Sequence, residues 1–292
     1  MTRTAISPRL AMRIFLSTSD NVGAMDGVNA NWLGEGPEKW GSSHGHWRVA
    51  TVPETGSTNA DLLAVIGFQA PDRVVLRTDH QTAGRGRLGR SWEAPPGSNL
   101  LVSILRRSVT GPAHRMTQLL GTACALILRH DYGVDAALKW PNDVVVISDE
   151  GDLKIAGILA QASTAHAANG VDVVIGMGVN VAWAPPPEVA PATCLVNAKR
   201  DGAPAPAPHE LLLRILDKFD ELEVMNIDEA FATYKSLLST LGKHVRCELP
   251  DGNHIAGRAV DVETDGRLQI IDECAVTHRI DAGDVVHLRR TD

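Results

Sequence analysis

The stretch Gly84-Arg85-Gly86-Arg87-Leu88-Gly89-Arg90-Ser91-Trp92 concentrates three glycines and three arginines in nine residues. Glycine lets a backbone come close to a ligand, and the guanidinium fork suits phosphate or carboxylate oxygens. The segment reads as a mobile anion-binding loop. It is not a Walker A loop, because no Gly-Lys-Ser/Thr follows, and its third glycine is misplaced for a dinucleotide fingerprint. A solvated basic loop, or one that takes nucleic acid as its anion, fits the same composition.

Four further clusters carry polar chemistry. Lys139-Trp140-Pro141-Asn142-Asp143 sets an ammonium, a carboxamide and a carboxylate at a bend made by Pro141. That set suits a phosphate together with a metal or an amine, and it also suits a plain turn. Lys154-Ile155-Ala156-Gly157-Ile158-Leu159 opens an apolar strand with a lysine. Solvated strand lysines are common, yet an ammonium beside a reacting carboxylate and phosphate stabilises charge. In Thr55-Gly56-Ser57-Thr58-Asn59-Ala60-Asp61, Thr58 and Asp61 fit a capping box at a helix start, where hydroxyls and an amide can also bind a small polar ring. Gly176-Met177-Gly178-Val179-Asn180 ends an apolar strand, its glycines expected to mark a bulge or tight turn.

The elements that must position these clusters alternate between two periods. Apolar segments at Val74 to Leu76, Asn99 to Leu105, Asp143 to Ile147, Lys154 to Ala160 and Val171 to Ile175 read as strands. Helical patterns run over Thr58 to Ile66, Pro112 to His130 with Gly133 just beyond, Pro208 to Glu223 and Asp228 to Leu238. The fold class is therefore α/β (α+β). Pro185 to Pro191 and Ala203 to Pro208 read as surface loops. After Leu241-Gly242 the pattern changes to short strands with Asp-Gly turns at Asp251-Gly252 and Asp265-Gly266, which predicts a small barrel over 241–292. Residues 1–46 show no sustained period beyond a short helix at Ala11 to Leu16, and read as a weakly ordered extension before a domain at 47–240.

Composition bounds the rest. At 292 residues the chain exceeds the size at which one core usually stops growing, about 250 residues. A hydrophobic share of 44% supports a real core, and a net charge of −7 argues against a protein devoted to the nucleic-acid backbone. Cys124, Cys194, Cys247 and Cys274 form no CxxC pair, so neither a disulfide framework nor a structural zinc site is expected and a reducing cytosol is. No apolar run reaches the roughly 18 residues of a spanning helix, so no membrane partner is expected.

Together, and in this order, the Gly-Ser-Thr-Asn segment, the Gln81 to Trp92 loop, Lys-Trp-Pro-Asn-Asp, Lys-Ile-Ala-Gly-Ile-Leu and Gly-Met-Gly-Val-Asn resemble biotin protein ligases, also called biotin–[acetyl-CoA carboxylase] ligases. The resemblance runs from about Thr51 to the C-terminus. It implies a mixed-sheet catalytic domain of the biotin/lipoate ligase type with a small C-terminal SH3-like β-barrel, and an enzyme that joins biotin to AMP from ATP and then passes biotin to a carrier lysine. It makes Ser57, Thr58, Asn59 and Gln81 contacts of biotin, with Arg85, Gly86 and Arg87 closing over biotin and adenylate. It assigns Lys154 to the carboxylate and α-phosphate, Arg90, Trp92, Lys139 and Asn142 to the nucleotide side, Asn180 to adenine, and Asp143 to the acceptor amine. Lys154, Arg87 and Asp143 are the residues expected to act in catalysis.

The same resemblance implies ATP and biotin as substrates, Mg²⁺ arriving with ATP, and a biotin carboxyl carrier domain of acetyl- or acyl-CoA carboxylase or pyruvate carboxylase as acceptor. A cytoplasmic monomer or weak dimer is expected. The residues before Trp47 lack the pattern of a winged helix-turn-helix, so the monofunctional type, without DNA binding, is expected. The neighbouring reading is a lipoate or octanoate ligase or transferase, against which the Gly-Arg-Gly-Arg loop and Lys-Trp-Pro-Asn-Asp speak. A nucleic-acid module built on the arginine loop and small barrel would show steep salt dependence. A scaffold leaves the five clusters unexplained.

Overall fold

The computed structural model describes residues 40–68, 70–149, 151–164, 170–199, 204–249, 252–281 and 283–287. Eight strands form one sheet: β1 (Ser42–His44), β2 (Trp47–Thr55), β3 (Val74–Gln81), β4 (Leu100–Val109), β5 (Ala136–Lys139), β6 (Asp143–Val146), β7 (Leu153–Ser163) and β8 (Val171–Val179). Their order is β1-β2-β3-β4-β8-β7-β6-β5. Only β2 and β3 run parallel, and the helix between them, α1 (Thr58–Val65), makes the crossover that a parallel pair requires.

The two faces of this sheet are covered differently. On one, α2 (His114–Tyr132) and α4 (Pro208–Val224) pack as a layer, with α5 (Ile227–Ser236) against α2, while the single turn α3 (Leu195–Ala198) lies between β8 and α4 in the chain. The α4 stripe Leu211, Leu212, Ile215, Leu216, Phe219 and Leu222 recurs at helical spacing and is buried. Phe219 meets Trp47 edge-on at 5.7 Å between ring centroids. Truncating so fully buried an aromatic costs about 3–5 kcal/mol in general. Gly133, at φ 64°, ends α2 in the left-handed conformation that glycine adopts freely. The other face carries α1 over β3, β4 and β8, with Leu62, Val65 and Ile66 sealing a smaller core with Val74, Leu76 and Val174.

Residues after Leu241 form the expected small all-β unit. Its strands β9 (His244–Glu248), β10 (His254–Val262), β11 (Leu268–Ile271), β12 (Thr277–Ile280) and β13 (Asp284–His287) make an antiparallel sheet in the order β12-β11-β10-β9-β13. Gly266 turns the chain between β10 and β11 at φ 87°, as its Asp-Gly pair anticipates. Asp251 of the other pair lies outside the described residues. Docking is by named groups: Trp140 Nε1 donates to the Gly266 carbonyl at 2.9 Å and Lys243 pairs with Asp152 at 3.0 Å, while just before the unit the Trp140 backbone N–H donates to Thr240 Oγ1 at 3.0 Å. Leu237 and Ser239 bond the backbone of Leu138, covering the sheet's β5 edge.

The expected extension 1–46 is corrected at its end. Ser42–His44 pairs antiparallel with β2 and Trp40 is buried, because this segment can complete the hydrogen bonds of an otherwise open edge. The helix expected over 11–16 lies outside the described residues.

His114, at the start of α2, reaches the C-terminal unit, its Nε2 3.3 Å from the Thr264 carbonyl and its ring against Gly266. Burial outweighs the opposing pull of Thr264 and Asp265 and holds this imidazole below its ordinary pKa. The unfolded chain therefore binds a proton that the folded protein resists. The stabilisation from keeping the ring neutral is whole above the unfolded pKa of about 6.5 and is lost as pH falls below it. Thermal melts should show Tm falling between about pH 7.5 and about pH 5.5, and His114→Gln should flatten that part of the profile.

Candidate active site

The site is floored by glycine. Gly157 on β7 stands opposite Gly178 on β8, with Gly176 two residues earlier on the same face. A Cβ on Gly178 would overlap the Trp92 indole, and one on Gly157 would lie 3.0 Å from both Trp92 and Lys154. A Cβ on Gly176 would overlap the Asn59 amide. The sequence pattern predicts a bulge or tight turn at Gly176 and Gly178. Both instead lie in regular register, and with Gly157 their role is to leave the face of the sheet without side chains.

Lys154 reaches that face through an irregularity. Strand side chains alternate, so residues three apart point to opposite sides. Between β6 and β7 the register shifts: Val144 faces Ala156 and Val145 faces Lys154, leaving Ile155 as an extra residue. This bulge turns Lys154 to the side of Gly157. Its ammonium lies 2.8 Å from Asp143 Oδ1 and 5.4 Å from the centroid of a Trp92 ring. Asp143 is itself the cross-strand partner of Gly157.

The arginine loop closes on itself. Arg85 bridges to Ser91, the Gly86 N–H bonds the Arg90 carbonyl, and the Trp92 N–H bonds the Gly84 carbonyl. This lays Trp92 over the glycine floor. Trp92 Nε1 is buried without a hydrogen-bond partner among the described residues. Arg87 donates to Asn142 Oδ1 at 3.1 Å and to the Gly283 carbonyl at 3.4 Å, while Arg90 pairs with Asp284. Burial pushes the Arg87 pKa down, with Asp284 and Asp143 opposing, and a guanidinium stays charged throughout.

At the other end of the floor, α1 presents a connected polar set. Thr58 donates its backbone N–H to Gln81 Oε1 at 2.9 Å, and its hydroxyl is 3.1 Å from the same oxygen and 2.7 Å from Ser103 Oγ. Ser103 donates to Asn59 Oδ1 at 2.5 Å, and Asn59 donates to the Leu159 carbonyl at 3.1 Å and Gln161 Oε1 at 3.0 Å. The capping-box expectation is corrected: the helix cap is Ser57, which makes no side-chain cap bond, and Asp61 accepts from the Thr55 hydroxyl. Competing partners in the site have taken the groups that a capping box would use.

With this geometry in view, known proteins are informative. The family model described as biotin/lipoate A/B protein ligase family matches residues 55–180, and that of the biotin protein ligase C terminal domain matches residues 240–288. The chain is 36% identical over 259 residues to the biotin–[acetyl-CoA-carboxylase] ligase of Mycobacterium tuberculosis, covering 85% of this chain and 92% of that one. The chain belongs to the biotin protein ligase family. The Paracoccus denitrificans biotin–[acetyl-CoA-carboxylase] ligase is 32% identical over 236 residues, 76% of this chain and 90% of that one. The Aquifex aeolicus biotin protein ligase solved in complex with biotin and ATP superposes with a TM-score of 0.68 at 24% identity, over 83% of this chain and 99% of that one, a likeness of fold.

Within this family member, Thr58, Asn59 and Gln81 gather in one network, and Arg87, Asn142, Asp143, Lys154 and Trp92 in a second. Arg85 and Arg90 are exposed, Arg90 turning outward to Asp284. Lys139 is half-buried, and burial pushes its ammonium pKa down against the pull of Asp143. Asn180 is buried with its amide committed: it donates to the Thr193 carbonyl at 3.1 Å and accepts from Asn99 at 3.3 Å. Sequence reasoning missed Ser103, Gln161 and Asp284. Ser103 had a signal, a lone hydroxyl inside the apolar run Leu100–Leu105, since a buried polar group needs partners. Gly178→Ala should dislodge Trp92 while leaving the helical layer folded: near-UV circular dichroism of the indoles should change and far-UV should not.

Proposed function

We infer that the chain is an ATP-dependent biotin protein ligase. It makes biotinyl-5′-AMP from biotin and ATP, releasing pyrophosphate, and transfers the biotinyl group to a lysine of a biotin carrier protein. The observation that carries this reading is the bare glycine floor flanked by the hydrogen-bonding Thr58–Gln81 end and the cationic Arg87–Lys154 end. One end suits a small polar ring and the other suits anions.

Activation brings a carboxylate against a phosphate, and cations must cancel that repulsion. Lys154 and Arg87 take this role, with Arg85 and Gly86 closing the loop over the ligand and Arg90 adding positive field. The carboxylate oxygen attacks the α-phosphorus and pyrophosphate leaves. The carrier amine then attacks the acyl carbon, AMP leaves, and the amine loses a proton that Asp143 is positioned to accept. Ser57, Thr58, Asn59 and Gln81 hold biotin, while Trp92, Lys139, Asn142 and Asn180 serve the nucleotide. Asn180 acts by fixing the end of its strand, since its own amide is committed.

Mg²⁺ belongs to this reading as the partner of ATP. The two carboxylates beside the cations are already paired, Asp143 with Lys154 and Asp284 with Arg90, so these residues make no cage for a hard ion and no step is assigned to one. We extend the reading to carriers of acetyl- or acyl-CoA carboxylase and pyruvate carboxylase, to the cytoplasm, and to a monomer or weak dimer without a DNA partner. The catalytic unit is assigned to 47–240, with the strand at Ser42–His44 added, and the C-terminal unit to 241–292. No described helix is long and apolar enough to cross a membrane.

Purified protein with MgATP should exchange pyrophosphate into ATP with biotin and not with lipoate, octanoate or no acid. Exchange with another acid instead of biotin would overturn the reading. Lys154→Gln should lower the exchange rate by about 100-fold or more, the scale of losing an electrostatic stabiliser of the transition state. Arg87→Gly should release biotinyl-AMP into solution, detected by rapid filtration, whereas the unaltered chain retains it.

A further inference from the structure

Ser103 touches none of the catalytic cations and is fully buried on β4 at 0% exposure. Its setting follows from counting protons. The Leu159 carbonyl can only accept, so the Asn59 amide nitrogen faces it and Asn59 Oδ1 faces Ser103. Gly176, the cross-strand partner of Ser103, leaves the space that Asn59 occupies. Oδ1 carries no hydrogen, so Ser103 spends its proton there.

Three contacts remain to be served by two hydroxyl protons: Ser103 to Asn59, Thr58 to Ser103, and Thr58 to Gln81 Oε1. With the Ser103 proton on Asn59, the short 2.7 Å contact takes the Thr58 proton. Thr58 Oγ1 and Gln81 Oε1 are then two acceptors 3.1 Å apart, with only the Thr58 backbone N–H serving Gln81. The network lacks one hydrogen-bond donor at that point. Gln81 turns its Nε2 the other way, toward Gly84 at the root of the arginine loop.

We propose that Ser103 is a positioning residue that directs the Thr58 hydroxyl away from Gln81 and so tunes the site to a head group bringing its own N–H beside a carbonyl. A cyclic urea has that pattern: its N–H supplies the missing donor to Thr58 and Gln81, and its carbonyl oxygen can accept from Gln81 Nε2. A dithiolane or plain acyl chain leaves the two acceptors unserved. This rests on the biotin reading and assigns the origin of its selectivity to a residue outside the recognisable motifs.

The test is steady-state pyrophosphate exchange with biotin and ATP varied in turn. Ser103→Ala frees the Thr58 proton to bond Gln81, so KM for biotin should rise about 10-fold or more, with KM for ATP and kcat within about twofold. Thr58→Val should raise the same KM, and the double variant should be no worse than the poorer single, because one residue acts through the other. Additive effects, an unchanged KM for biotin, or equal rises for both substrates would overturn the proposal. If Ser103→Ala does not fold, Ser103→Cys keeps a donor at that position, though a weaker one, and should raise KM for biotin alone. Absence of biotin-dependent exchange in the unaltered chain would instead overturn the functional reading.

Discussion

The site depends on one face of a sheet being left bare. A mixed sheet of this width needs cover on both sides, and α2 and α4 supply it on one. On the other, α1 covers β3, β4 and β8 and reaches β7 through Asn59, and at Gly157, Gly176 and Gly178 the sheet offers backbone without side chains. A flat ring can lie there, as Trp92 does. Each glycine weakens its strand, and here the hydrogen bonds of neighbouring strands on both sides hold the register. The floor is paired on both edges because β7 and β8 lie inside the sheet.

Around this floor the cations arrive already paired. Lys154 holds Asp143, Arg90 holds Asp284, and Arg87 leans on Asn142 and the Gly283 carbonyl. Pairing of this kind keeps partly buried positive charge in place without a ligand. It also defines which contacts an incoming anion must replace. The C-terminal unit takes part directly, since Gly283 and Asp284 precede or open β13 and yet meet the arginine loop. A long sequence separation is bridged because Trp140 and His114 dock that unit by hydrogen bonds to its β10–β11 turn.

The thiols show the same economy of placement. Cys124 is buried among apolar side chains, and burial pushes its pKa up to about 12, while burial, helped by Asp284 and opposed by Arg87, pushes Cys247 up to about 11. Both remain protonated thiols at neutral pH and serve as small core residues. The acyl and phosphoryl chemistry proposed here needs no nucleophile from the protein, which accords with their inert settings.

What the sequence by itself determined was local. Helical periodicity, Pro208 at the first turn of α4 and Gly133 after α2 placed the helices to within a few residues, because stripes and caps are properties of adjacent residues. The motif order sufficed for the family. Tertiary structure alone decided the rest. Lys154 faces the site only because Ile155 bulges against β6, and no spacing rule shows a bulge. Thr58 and Asp61 looked like a cap until Gln81, Ser103 and Thr55 competed for them. Ser42–His44 joins the sheet because an edge is available, and Asp284 meets Arg90 because two units dock. Each depends on a partner distant in sequence, and a distant partner is settled by packing.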